Sequence, residues 1–94
     1  MTHITLKFTG EFWERVGFGH ADFEFEGSTV REFLPALTQA YNVSDLLLTP
    51  DGVSIRPTSR LVVNGRFHYL VGGLDAPIHD GDMVALIRPW APAF

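Results

Sequence analysis

His79-Asp80-Gly81-Asp82 places an imidazole and two carboxylates within four residues, a grouping that suggests a site for a hard cation. Calcium-type sites draw six or more oxygen ligands from a longer loop, so the sequence predicts a tight acidic turn and no metal. Glu11 and Glu14 have the spacing of a paired acid and base, but Phe12 and Trp13 between them read as packing, and no pocket is implied. His3, His20 and His68 are too scattered to form a ligand set with His79. Ser28, Ser44, Ser54 and Ser59 lack the glycine-flanked context of a nucleophile elbow. Gly72-Gly73 is the one diglycine, and cleavage after it would remove the last strand; it reads as a crossover loop that needs positive φ. The chain contains no cysteine, which excludes disulfides, thiolate zinc sites and cysteine nucleophiles. These residues predict a protein that is not an enzyme and has neither catalytic residues nor a cofactor.

Ninety-four residues suffice for one domain, and 46% hydrophobic content with eight Phe can fill its core without metal or disulfide staples. The net charge is −4, and the seven basic residues are spread singly between Lys7 and Arg88. Nucleic-acid binding calls for a clustered basic footprint, which the sequence lacks. The start, MTHITLKFTG, has no secretion-signal pattern, and no apolar run approaches a membrane span, so a cytoplasmic protein with no membrane partner is expected.

Ile4, Leu6 and Phe8 alternate with polar neighbours, as in a half-buried strand, and Phe12–Val16 reads as a short turn. Residues 20–26 alternate again, with Ala21, Phe23 and Phe25 on one face, which suggests an N-terminal hairpin. Thr29 and Glu32 have capping-box spacing, and Val30, Phe33, Leu34, Leu37 and Tyr41 form one apolar helical stripe over 29–41. Pro35 predicts either a kink or a regular helix beginning only there, at a cost of about 3 kcal/mol in a regular interior. Asn42 is suited to a left-handed helix end. Val43–Leu48 reads as a short helical turn or a loop tucking leucines under the sheet, and Thr49-Pro-Asp-Gly52 as a turn. A strand over 61–63, the Asn64-Gly65 hairpin turn, a strand over 66–69, the turn at 77–82 and a last strand over 83–88 complete the chain. In that last strand Val84 and Leu86 face opposite to Ala85 and Ile87. The order ββ, α, βββ predicts an α+β protein in which a mixed sheet of four or five strands grasps one main helix, the β-grasp architecture. The expected core is Phe23, Phe25, Val30, Phe33, Leu34, Leu37, Val62, Val84 and Leu86. The domain is expected to span 1–88, followed by a proline- and aromatic-rich tail over 89–94.

Three stretches carry a family resemblance: ITLKFTGEFWERVG, GSTVREFLPALTQAY, and above all LVVNGR with GLDAPIHDGDMVALIRP. Together they cover about residues 1–89, and they resemble the ubiquitin-like sulfur carriers (MoaD/ThiS), that is, the molybdopterin-synthase small subunit and the thiamine sulfur carrier. The resemblance implies the ubiquitin-like fold and protein partners: an activating enzyme, a synthase large subunit or an oxidoreductase complex. It also implies a tail ending in Gly-Gly, because a narrow channel passes bare backbone and sulfur must reach a carbonyl without a Cβ beside it. Here Pro89-Trp-Ala-Pro-Ala-Phe94 takes that place at nearly the same length, stiffened by two prolines and made bulky by Trp90 and Phe94.

The expected function is therefore a non-conjugating protein-binding module or accessory subunit that docks by its sheet face and tail. The expected partner-binding residues are Trp90 and Phe94, with Phe8, Arg66 and Tyr69 in support, and homo-oligomerisation through the tail is a further expectation. The alternative is a working carrier that donates sulfur as a C-terminal thiocarboxylate in molybdopterin or thiamine biosynthesis.

Overall fold

The computed structural model describes residues 1–88. Strand β1, Thr2–Phe8, buries Ile4, Leu6 and Phe8 and leaves His3 and Lys7 exposed, so the alternation in the sequence becomes an inside and an outside. It pairs antiparallel with β2, His20–Phe25, and Ile4 lies opposite Phe23. The connection differs from the expected turn. Glu11–Val16 forms a helix, α1, which buries Phe12 and leaves Trp13 55% exposed.

Helix α2, Val30–Ala40, buries Val30, Phe33, Leu34 and Leu37 against the sheet. Its capping box forms: the Glu32 amide donates to the Thr29 hydroxyl at 3.3 Å, and the Glu32 carboxylate accepts from the Ser28 amide at 3.0 Å. The helix runs through Pro35 as one element from Val30. Beside the proline, the Thr38 hydroxyl donates to the Leu34 carbonyl at 3.1 Å. Tyr41 ends the helix in an extended conformation, and Asn42 does not adopt the expected left-handed one; among the described residues Asn64 is the non-glycine residue with positive φ. Phe33 meets Phe25 and Phe23 edge-on at 5.5 and 5.8 Å, locking α2 to the outer strand.

A short helix, α3, Ser44–Leu47, tucks Leu46 and Leu47 into the core. Strand β3, Arg60–Val63, turns through Asn64 (φ 52°) and Gly65 (φ 83°) into β4. Both central residues have the positive φ that a two-residue type I′ hairpin requires. Strand β4 is only Arg66–Phe67, shorter than expected, because His68–Leu70 coils into a 3₁₀ turn. Strand β5, Met83–Ile87, lies parallel to β1 and antiparallel to β3.

The five strands therefore run in the order β2-β1-β5-β3-β4, with α2 across one face, and this is the β-grasp architecture. Of the residues expected in the core, Phe23, on the outer strand β2, is only partly buried and packs against the core's edge. Val62 is buried, but on the opposite face of the sheet from its neighbours Leu61 and Val63.

Candidate docking surface

The chemistry-bearing residues of the sequence serve the framework. Asp80 accepts the His3 amide at 2.8 Å, and Asp82 accepts the His79 amide at 2.8 Å. The Gly81 amide donates to the His3 carbonyl at 2.8 Å, so the acidic turn is stitched to the start of β1. Among the described residues no three His, Asp or Glu side chains gather as a metal site. Gly72 (φ 131°) and Gly73 (φ 65°) make the crossover before β5; a Cβ on Gly72 would lie 3.0 Å from the Ala76 backbone. Glu11 pairs with Arg88 at 3.2 Å, while Glu14 is exposed. The Ser59 hydroxyl is buried and donates to the Leu46 carbonyl at 2.6 Å. Arg88 also reaches that carbonyl, at 3.5 Å, so the end of β5 is tied to both α1 and α3. Among the described residues no helix is long and apolar enough to cross a membrane.

The two faces of the sheet differ in kind. Leu6, Phe8, Leu61, Val63, Val84 and Leu86 point toward α2 and are buried. The central row of the opposite face can be read from the pairing: His20 beside Lys7, Lys7 beside Ala85, Ala85 beside Val62, and Val62 beside Phe67; Lys7 and Phe67 are exposed, whereas Ala85 and Val62 are buried. Met83 and Ile87 flank Ala85 along β5 on the same side. Phe67 is 38% exposed, and Tyr69 stacks on it with 53% exposure. Leu70 and Met83 add further exposed apolar surface.

Of the residues expected to meet a partner, Tyr69 lies at this surface. Arg66 is exposed but pairs with Val63, so it projects to the other face of the hairpin from Phe67. Phe8 is a correction: it is 3% exposed, and its ring packs edge-on against Phe18 and Tyr41 at 5.7 and 5.2 Å. A ring held in that aromatic cluster is part of the core. Trp90 and Phe94 lie outside the described residues. Phe67, Met83 and Lys7 were missed as surface residues. Their signal was the outward half of the alternation in β1, β4 and β5.

His68 lies edge-on to Tyr69 at 5.6 Å, with its Nδ1 buried and unpartnered among the described residues. Burial holds its pKa below the ordinary histidine value of 6.5; a backbone hydrogen bond to Leu61 opposes the shift and the charge of Arg60 adds to it. At the far pole Arg15 grips Asp45 with two hydrogen bonds, 2.8 and 3.1 Å, which lowers the Asp45 pKa and raises that of Arg15.

A model of the ThiS family matches residues 6–92. Among solved structures, the small archaeal modifier protein SAMP1 of Haloferax volcanii is 22% identical, with a TM-score of 0.81 over 97% of this chain and 99% of that one. Urm1 of Trypanosoma brucei is 26% identical, with a TM-score of 0.78 over 98% and 96%. A chain of the Amycolatopsis orientalis BexX/CysO complex is 21% identical, with a TM-score of 0.75 over 96% and 99%. No curated protein sequence matches significantly.

Proposed function

Because this chain belongs to the ThiS family of ubiquitin-fold sulfur carriers and small modifiers, we propose that it acts by docking on a protein partner without itself carrying sulfur. The observation that carries the docking reading is the stacked, exposed pair Phe67 and Tyr69 at the end of β4. Exposed aromatic rings fixed against one another give contact area with little side-chain entropy left to lose. The BexX/CysO complex, in which a protein of the same fold is held by a protein partner, supports this mode.

The second half of the proposal rests on the six residues after Arg88, Pro89-Trp-Ala-Pro-Ala-Phe94, which include no glycine. Two prolines and two aromatic rings do not thread a channel shaped for bare backbone. Family membership itself favours the second reading, a carrier that donates sulfur as a thiocarboxylate in molybdopterin or thiamine synthesis.

Intact-mass spectrometry separates the two readings. After incubation with ATP, a sulfur donor and the cognate activating enzyme, the chain is expected to keep its mass. A species with one carboxylate oxygen replaced by sulfur, mapped to the segment after β5, establishes the carrier and removes the non-conjugating reading.

A further inference from the structure

We propose that the free edge of β2 pairs with an extended segment of a partner protein, one that alternates Lys or Arg with apolar residues. This edge is at the opposite side of the sheet from the Phe67–Tyr69 stack, so the inference goes beyond the docking reading above and is tested apart from it.

The register shows which backbone groups are free. The Phe8 amide donates to the Gly19 carbonyl at 2.9 Å, and an antiparallel ladder alternates from there. Ala21, Phe23 and Phe25 therefore direct their amides and carbonyls at Leu6, Ile4 and Thr2. His20, Asp22 and Glu24 turn theirs away from β1, and β2 is the last strand on that side. Among the described residues no other backbone group hydrogen-bonds to these three. The six residues of β2 include neither proline nor glycine, so each of the three offers both an N–H and a C=O. Such an edge is a template for strand addition.

The side chains name the occupant. His20, Asp22 and Glu24 are exposed along one side of the edge, and Glu26 continues their alternation. The ion pairs of the described residues take in Glu11, Asp45, Asp75 and Asp82, and none takes in Asp22, Glu24 or Glu26. Residues directly opposite in a new strand share a face, so Lys or Arg there meets Asp22 and Glu24. On the other side of the edge Ala21 and Phe23 are half-buried. Phe23 leads on to Tyr41 at 6.2 Å, and Tyr41 to Phe18 at 5.9 Å, which is 41% exposed. Apolar residues of the added strand cover this fringe.

The same chemistry disfavours two other occupants. An antiparallel second copy sets Asp22 opposite Asp22 or Glu24, like charges face to face. The segment over 89–94 has no Lys or Arg, and two of its six residues are prolines without an N–H. Charge guards an edge against indiscriminate pairing, and its single sign here selects a basic strand.

The test uses the full chain labelled with ¹⁵N and two synthetic peptides of about eight residues, an ordinary strand length. One alternates Lys with Val, and its twin alternates Glu with Val. The Lys peptide is expected to slow hydrogen exchange at the amides of His20, Asp22 and Glu24, to leave Ala21 and Phe23 unchanged, and to bind at least ~10-fold more tightly than its twin. Joint Asp22→Lys and Glu24→Lys substitution is expected to reverse that preference. Binding without protection at every second amide is ionic attraction alone and overturns the strand. Equal binding of both peptides overturns the basic partner, and binding of neither overturns the site. If the three amides are already protected in peptide-free protein, the external partner is overturned: protection that grows with concentration assigns the edge to a second copy, and protection at every concentration assigns it to the chain's own segment. Shifts confined to Phe67 and Tyr69 move the contact to the aromatic pair, which leaves the docking reading standing and removes this one.

Discussion

The rings of Phe67 and Tyr69 lie 5.3 Å apart with their planes 10° from parallel, joined across the end of β4 and the turn that follows. The stack holds two exposed aromatic side chains in one arrangement before anything binds them. If its purpose is contact with a partner, removing a ring should cost the fold little. Tyr69→Ala is expected to change unfolding free energy by less than about 1 kcal/mol, as at most exposed positions. Urea unfolding followed by Trp13 and Trp90 fluorescence measures it, and a loss approaching that of a core truncation would make the pair a structural element.

Leu37 provides the comparison. It is fully buried on the face of α2 that meets the sheet. Leu37→Ala is expected to cost ~2–5 kcal/mol, since the removed methyl groups leave a cavity in the packed core. The denaturation midpoint should fall with the slope unchanged. A loss below about 1 kcal/mol would mean that the stripe does not face the core.

The helix stripe and the strand alternations were legible because each is a local pattern with its own period: Ile4-Leu6-Phe8 reads at two, and Val30-Phe33-Leu34-Leu37 at three to four. Asn64-Gly65 was legible because few residues tolerate its backbone. Phe8 was misplaced as a partner contact although its alternation with Ile4 and Leu6 puts it on the inner face; what the sequence did not show is that Phe18, from a loop, and Tyr41, from the end of α2, pack against its ring. Val62 is buried as expected, but the face it points to was not legible, because β3 is apolar on both faces and that side is fixed only by pairing with Ala85 and Phe67. The outward row of the sheet was the hardest part to read. Lys7, Ala85, Val62 and Phe67 come from four strands, and only the strand order makes them neighbours.

The diglycine yields a discriminating pair of variants. Gly72 has φ 131°, and an added Cβ would meet the Ala76 backbone at 3.0–3.1 Å; Gly73 has φ 65° with open space around it. Gly72→Ala combines a forbidden conformation with a clash against main chain, whereas Gly73→Ala carries the left-handed penalty of about 1–2 kcal/mol alone. Gly72→Ala is expected to be the more destabilising of the two in parallel thermal melts. Equal losses would mean that the loop shifts freely.

Acid tests the capping box. The Ser28 amide, with help from the Thr29 hydroxyl and amide, holds the Glu32 carboxyl below its ordinary value of 4.5, against a small opposing effect of burial. A pKa lower in the folded than in the unfolded state means stability that is present above 4.5 and lost as pH falls through the folded value. Glu32→Gln keeps an acceptor oxygen and removes the titration. The variant is expected to start less stable at neutral pH and to lose less on acidification to about pH 3. Parallel acid limbs for the two proteins would mean that the carboxylate is not held by these amides.

His68 makes the fold sensitive to pH nearer neutrality. Its imidazole packs edge-on against Tyr69 with Nδ1 buried and unpartnered among the described residues, and burial is the first cause of its lowered pKa. The neutral ring is therefore the folded form. Above the unfolded value of 6.5 both states hold the neutral ring, and its contribution to stability is complete. As pH falls below that value the unfolded chain takes up the proton first, and stability declines until the folded value is passed. Denaturation midpoints should thus fall between about pH 8 and pH 5, and His68→Gln should flatten that part of the curve. A ¹H–¹³C titration of the imidazole gives the site directly. A midpoint for His68 at or above 6.5 would show that the ring is solvated when folded, and the pH-dependent support beside the aromatic pair would be lost with it.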